Sequence, residues 1–306
     1  MRIKKPGKIQ DRLWFLGREE SCVYLLEGSK SSILLNGGLS CLVPEVVAQL
    51  REFAIDQSKI DKFLVLHSHF DHVGIIPYFK RHYPHIVVHA SVRALEILNK
   101  PKAIQVINES NRYFTRKQGL EQVCSEYGVE WPLGISGSAV REGDRIDLGD
   151  LELRIIETPG HSPCSISAYV PQLKLLFPSE AAGVPLATGL MTYGTSNFTQ
   201  FETSLRKLKD LEIELVCCDH CGCVAGEEAR GFVAASIESA KWRKRLMQET
   251  YQRTGSVELA ARELAARFEG ENRLDIVPKE TFLESYRHMI MHVVGLKKGV
   301  ASPQST

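Results

Sequence analysis

The sequence predicts an α/β protein: a layered core of strands and helices, followed by an appendage of helices alone. Three observations carry that expectation. Up to about residue 225, short apolar runs with strand spacing alternate with helical stretches, and from Glu227 onward the pattern is nearly all helical. The run Phe63-Leu64-Val65-Leu66 has no polar interruption, as a strand buried on both faces requires. The 306 residues are 43% hydrophobic and 25% charged, which excludes a disordered, collagenous or disulfide-scaffold chain.

Taken in order, Leu13-Trp14-Phe15-Leu16, Cys22-Val23-Tyr24-Leu25-Leu26 and Ser32-Ile33-Leu34-Leu35 read as strands of a small meander. Gly17, Gly28 and Gly37-Gly38 punctuate them. Residues 44–53 have helical periodicity, with Pro44 near the start, where its missing N–H does no harm. The strand at 63–66 leads through His67-Ser68-His69-Phe70-Asp71-His72 into a helix expected over 73–82, and 86–88 is the next strand. Residues 91–131 read as two or three helices punctuated by Asn108, Asn111 and Gly119. Strands follow at 145–148, 151–156, 166–170 and 173–177. A helix over 205–211 and a final strand over 214–218 complete the core. Helices are expected at 227–251, 256–268 and 279–294. This gives a core over 1–226 with a helical insertion at 91–131, a helical cap over 227–296 and a loose tail at 297–306.

Charge narrows the partners. Lys and Arg number 38 against 37 Asp and Glu, a net charge of +1. Without a long-range positive field, nucleic acid is not a favoured partner. No apolar run approaches the roughly 20 residues of a membrane helix, and no apolar stretch follows the charged Met1–Lys8 as it would in a signal peptide. A cytoplasmic location follows as an expectation, with the eight cysteines mostly reduced thiols.

The strongest chemical signal is His67-x-His69-x-Asp71-His72, placed where a buried strand ends, the position at which α/β sheets gather ligands. Imidazole and carboxylate are ligands of borderline divalent metals. Four such groups within six positions cannot all reach one tetrahedral ion without contorting the backbone, but they suit two adjacent ions. Further candidates each follow a strand: His161 in Thr158-Pro159-Gly160-His161-Ser162, Glu180 after Leu175-Leu176-Phe177-Pro178-Ser179, and His220 in Cys218-Asp219-His220-Cys221-Gly222.

In the order and spacing of these residues the sequence resembles the metallo-β-lactamase-fold hydrolases over about residues 10–225. Leu35-Asn36-Gly37-Gly38 is similar to an early strand-turn of that family, in which Asp is usual at the place of Asn36. The helical insertion and helical C-terminal third most resemble the branch containing thioesterase-like quinolone-signal biosynthesis proteins. The resemblance implies an αββα sandwich with a helical cap. It also implies two divalent ions, zinc first, with iron or manganese as alternatives. His67, His69 and His161 would hold one ion; Asp71, His72 and His220 would hold the other. Glu180 stands where the family usually has Asp; it would bridge the pair or bind one ion, and loss of the second ion is the third outcome. The implied reaction is attack by a metal-bridged hydroxide on the carbonyl of a small thioester or ester, with Asp71 orienting the hydroxide or taking its proton.

Other signals are weaker. Cys217, Cys218, Cys221 and Cys223 surround His220, but no second pair completes a zinc site, so they read as packing thiols. Gly134-Ile135-Ser136-Gly137-Ser138 lacks the last glycine of a nucleophile elbow. Lys241-Trp242-Arg243-Lys244-Arg245 reads as a solvated helix face with Trp242 packed inward. The sharper alternative is an anion contact, for instance with a coenzyme-A phosphate. His82, His85 and His89 read as structural. Tyr193 and Phe198 could line a substrate pocket, and Ser285 and His288, at helical spacing, could face the metal cleft. The cap would shape a closed pocket for a small acyl or aromatic group rather than a polymer. Rival functions are a lactonase, a glyoxalase II-like glutathione thioesterase, a nucleic-acid phosphodiesterase, a binding or regulatory protein on a retained scaffold, and an oxygen-reducing or sulfur-oxidising iron enzyme. A homodimer is among the assemblies open to the chain.

Overall fold

Along the strand Ile60–Val65, Phe63 and Val65 face one apolar cluster, while Leu64, with Leu66 just beyond, faces another. This period-two alternation builds the whole molecule. The computed structural model describes residues 1–270 and 278–296, so the expected tail at 297–306 lies outside the described residues. Two seven-stranded sheets pack face to face. The first runs Gly7–Gln10, Leu13–Arg18, Ser21–Glu27, Ser32–Leu35, Ile60–Val65, Val87–Ser91, Ser138–Val140 across its width. It is antiparallel up to Ser32–Leu35 and parallel thereafter. The second runs Arg2–Ile3, Cys223–Ala225, Leu215–Cys217, Leu175–Phe177, Ile166–Val170, Glu152–Glu157, Arg145–Asp147.

Between the sheets lie Phe15, Tyr24, Leu35 and Leu64 from one and Leu153, Ile155, Ala168 and Phe177 from the other. The outer face of the first sheet packs under Val43–Glu52, Ile76–His82, Val92–Leu98 and Pro101–Lys117 through residues such as Val46, Phe79, Leu98 and Ile107. The outer face of the second packs under Phe198–Leu208, Phe232–Thr254, Val257–Arg267 and Lys279–Val293 through Phe201, Met247, Leu264 and Met289. The result is an αββα sandwich with additional helices at its C-terminal end. The expected meander, the parallel strand–helix–strand unit and the C-terminal helices are all present.

Several elements differ from expectation for identifiable reasons. The helix after the histidine loop begins at Ile76, not residue 73. Gly74 presses on the Leu39–Ser40 backbone so closely that an added Cβ would lie 2.2 Å from Ser40 N. Three backbone hydrogen bonds, Gly37 N to His72 O, Gly74 N to Gly38 O and Ile75 N to Gly37 O, fasten residues 72–75 to the Gly37-Gly38 turn. Asn108 and Asn111 do not punctuate the insertion; both lie within Pro101–Lys117. Asn108 uses its amide to clamp the Trp131 backbone, giving a hydrogen bond to Trp131 O at 3.1 Å and accepting one from Trp131 N at 2.9 Å. Gly119, with φ +67, does mark a break.

The helix expected over 205–211 spans Phe198–Leu208, capped by Asn197, whose side chain accepts from Gln200 N. Leu215–Cys217 is not the final strand, because the chain turns at Gly222 and returns as Cys223–Ala225. A three-residue strand in a cysteine-rich run has too short a pattern to read. The basic run is oriented opposite to expectation: Trp242 is 41% exposed and Arg243 is buried. The Arg243 guanidinium lies over the rings of Phe268 and Tyr193 at 4.5 and 4.9 Å, and donates to Tyr286 Oη. It is a packing element of the helical layer and is not placed for a solvent anion.

Candidate metal centre

All seven residues singled out as metal ligands meet at one end of the sandwich. His67 ends the strand Ile60–Val65, and the 3-10 turn Phe70–His72 carries Asp71 and His72 back toward it. His161 follows Glu152–Glu157, Glu180 follows Leu175–Phe177, and His220 follows Leu215–Cys217. Three strands of the second sheet and one strand of the first therefore deliver their following loops to a common point.

The seven side chains form two donor sets. His67, His69, His161 and Glu180 form one; Asp71, His72 and His220 form the other; a third grouping, of His67 and His72 with Asp219, lies at the Nδ1 side of the two rings. In the first, His69 Nδ1 lies 3.2 Å from His67 Nε2 and 3.1 Å from His161 Nε2. Glu180 Oε2 lies 2.7 Å from His161 Nε2 and 3.4 Å from His67 Nε2. In the second, Asp71 Oδ2 is 3.2 Å from His72 Nε2 and 3.6 Å from His220 Nε2. Glu180 stands between the sets, with Oε2 3.6 Å from His72 Nε2 and Oε1 3.7 Å from His220 Nε2.

The backs of four imidazoles are tied to hydrogen-bond acceptors. His161 Nδ1 faces Tyr193 O at 3.2 Å, and His220 Nδ1 faces Glu20 O at 2.6 Å. His67 Nδ1 meets Ser179 Oγ at 2.9 Å, and His72 Nδ1 meets Asn36 Oδ1 at 3.0 Å. With protons on Nδ1, each ring turns a lone pair on Nε2 toward the shared space. Lone pairs facing one another repel unless a proton or a cation lies between them. Among the described residues, His72 Nε2 is buried and has no hydrogen-bond partner. The edges of a tetrahedral zinc–imidazole site are about 3.3 Å for Zn–N distances of about 2.0–2.1 Å, close to the spacings in the first set. The donor sets thus fit divalent cations in chemistry and in scale.

Electrostatics follow from burial and proximity. Burial, followed by the neighbouring His72 charge, pushes the His67 imidazole down to about 4. Burial opposes the charged form of His72 as well, but the carboxylates of Asp71 and Asp219 raise it well above the usual range. Burial would raise the Asp71 carboxyl; His72 and His220 nevertheless hold it below the usual carboxylate range. Glu180 is likewise held low against its burial, chiefly by His161.

The cage opens into a cavity of about 1320 Å³, larger than the roughly 300–1,000 Å³ of most small-ligand sites. One wall is the insertion helix, with Val106, Ile107 and Tyr113; the other is the C-terminal helix, with Thr281, Ser285 and His288. Tyr193, Ser285 and His288 line the cavity, whereas Phe198 does not: it is fully buried in the core beneath the second sheet's helices. Cys217 and Cys223 face each other across their strands as buried thiols, and burial raises Cys217 well above the ordinary thiol range, as an inert packing role requires.

Sequence reasoning passed over Asp219 and Ser179. Both are buried directly behind His67 and His72. The available signal was a second carboxylate next to His220, following an apolar strand.

The sequence model of the metallo-beta-lactamase superfamily matches residues 16–270. An acyl-coenzyme A thioesterase, MBLAC2 of Gallus gallus, is 26% identical over 207 residues, covering 66% of this chain and 71% of the relative. Hydroxyacylglutathione hydrolase of Rhodospirillum rubrum is 31% identical over 124 residues, covering 37% of this chain and 47% of the relative. Among solved structures, a metallo-beta-lactamase family protein of Thermus thermophilus superposes with a TM-score of 0.63 at 17% identity. The match covers 94% of this chain and 95% of the other, and it shows shared fold.

Proposed function

Because the chain belongs to the metallo-beta-lactamase superfamily, we propose that it is a dinuclear metal-dependent hydrolase whose substrate is an acyl thioester. His67, His69 and His161 would hold one divalent ion and Asp71, His72 and His220 the second, with Glu180 standing between the two sets. Zinc is the first candidate, with iron or manganese decided by supply. The observation that carries this reading is the placement of Glu180, whose two oxygens face His161 and His220 from between the donor sets. The longer side chain in place of the usual Asp is accommodated there without withdrawing from either set.

When bound, such ions acidify water and polarise a carbonyl and its developing oxyanion. The chain's own residues do the rest. Asp71 stays ionised among imidazoles; its carboxylate orients the attacking water. A thiolate leaves without a strong general acid, which fits a site where Asp71 and Glu180 are both held ionised. Val106, Ile107 and Tyr113 receive the apolar acyl group, and the Thr281, Ser285 and His288 face meets the polar remainder. The cavity volume favours a substrate longer than a compact acyl group alone. Similarity to an acyl-coenzyme A thioesterase supports the thioester class. A glutathione thioester is the second reading, favoured by the match to hydroxyacylglutathione hydrolase. Eight free thiols fit a reducing, cytoplasmic setting.

The test is elemental analysis of protein from its native host, with a turnover panel of acyl-coenzyme A and glutathione thioesters, lactones and a phosphodiester. Two ions per chain and fastest turnover on a thioester are expected. Fewer than one ion per chain, or activity untouched by His69→Ala, rejects the reading.

A further inference from the structure

We propose that Asp219, acting partly through Ser179, is a positioning residue that joins the two donor sets from behind, fixing the ring tautomers of His67 and His72. This rests on the reading that those rings are metal ligands. Asp219 is fully buried, and its Oδ2 accepts a hydrogen bond from Ser179 Oγ at 2.9 Å. The same oxygen lies 3.2 Å from His72 Nδ1 and 3.9 Å from His67 Nδ1. Ser179 gives its only proton to Asp219, so at His67 Nδ1, 2.9 Å away, its oxygen must accept. His67 therefore carries its proton on Nδ1. At His72, Asn36 is oriented by donation from its Nδ2 to Cys22 O, which leaves Oδ1 facing the ring. With an amide oxygen and a carboxylate both facing Nδ1, His72 also carries a proton there.

Backbone geometry supports a built arrangement. Asn36 and Ser179 both adopt left-handed φ, +59 and +54, which brings their side chains behind the rings. Asparagine tolerates that region, whereas serine visits it less readily. Charge supports it too. Among the described residues, the rings of His67 and His72 are the basic groups facing Asp219, and its Oδ1 makes no hydrogen bond. A buried carboxylate with so little compensation is costly unless cations occupy the space beyond the rings. One carboxylate thus serves a ligand from each set, directly for His72 and through a hydroxyl for His67.

The two contacts can be cut separately. In the metal-free full-length protein, nitrogen NMR of the histidine rings, at a pH where they are neutral, is expected to show His67 and His72 as Nδ1–H. Ser179→Ala should shift the tautomer of His67 alone. Asp219→Ala should shift His72 and loosen His67, and Asp219→Asn, which keeps an acceptor, should fall between wild type and Asp219→Ala. Competition of zinc against a chromogenic chelator should show both ions weakened about 10–100-fold in Asp219→Ala, and only the ion of the His67 set weakened in Ser179→Ala. Ser179→Ala and Asp219→Asn keep the test alive if Asp219→Ala does not fold. Unchanged ring tautomers in Ser179→Ala and Asp219→Asn, with wild-type zinc affinity, would overturn the proposal. A wild-type protein that binds no zinc but shows the tautomer shifts would defeat the functional reading and leave the positioning role standing.

Discussion

In the set formed by His67, His69, His161 and Glu180, the facing atoms lie 2.7 to 3.4 Å apart. In the set formed by Asp71, His72 and His220 they are spread over 3.2 and 3.6 Å. The tighter set draws on three imidazoles and a carboxylate brought from three separate loops, and one of them, His69, is open to the cavity. The looser set takes two of its three members from the single 3-10 turn Phe70–His72. A cage closed from several directions is preformed before its ion arrives, whereas one resting on a short turn needs its ion to draw it together. The first set should therefore fill first and release its ion last.

The largest test of that ranking is His69→Ala. Removing the imidazole shared by His67 and His161 should empty the first set and lower thioester turnover by roughly 10³-fold, measured by steady-state kinetics beside metal content. His220→Ala should strike only the looser set: one ion remains per chain, and turnover falls by roughly 10²-fold. Equal losses from both variants would mean that the two sets do not differ in the way their spacings imply. Next comes Glu180→Asp. Shortening the side chain withdraws Oε1 from His220, already 3.7 Å away, before it breaks the 2.7 Å contact with His161. The second ion should then weaken about tenfold while the first holds, as a two-step chelator titration would show.

The smallest effect lies outside both sets, where Arg287 on the C-terminal helix pairs with Glu258. Arg287 and then Arg262 hold the Glu258 carboxyl down to about 2. A depressed folded value stabilises above the unfolded value of about 4.5 and is lost as pH falls toward 2. Exposure keeps the contribution below about 1 kcal/mol. Glu258→Gln should lower thermal stability slightly at pH 7 and not at pH 2, with ion binding at neutral pH unchanged. Ion loss in that variant would show that the helical layer controls the cage.

What the sequence made legible follows the same division. His67, His69, Asp71 and His72 could be found because they are adjacent in the chain, and His161, Glu180 and His220 because each closes an apolar strand. The αββα arrangement was legible for a related reason: alternation in strands such as Ile60–Val65 declares both faces. Support residues were not. Ser179 acts through a left-handed backbone that its residue type does not announce, and Asp219 looks like any polar residue in a turn. Phe198 and Arg243 were misplaced because composition does not fix rotation about a helix axis. An aromatic near a glycine-rich loop went to the core, and a cation within a basic run went under three rings. Asn108 and Asn111 were misread as breaks because a clamp on Trp131 lies beyond local propensity.

The most direct test of the central claim is an anomalous-scattering map from crystals of the metal-loaded protein. Two peaks are expected, one among His67, His69 and His161 and one among Asp71, His72 and His220, with Glu180 touching both. A map with no peak in the cage, or with His161 or His220 turned away from a single ion, would contradict it.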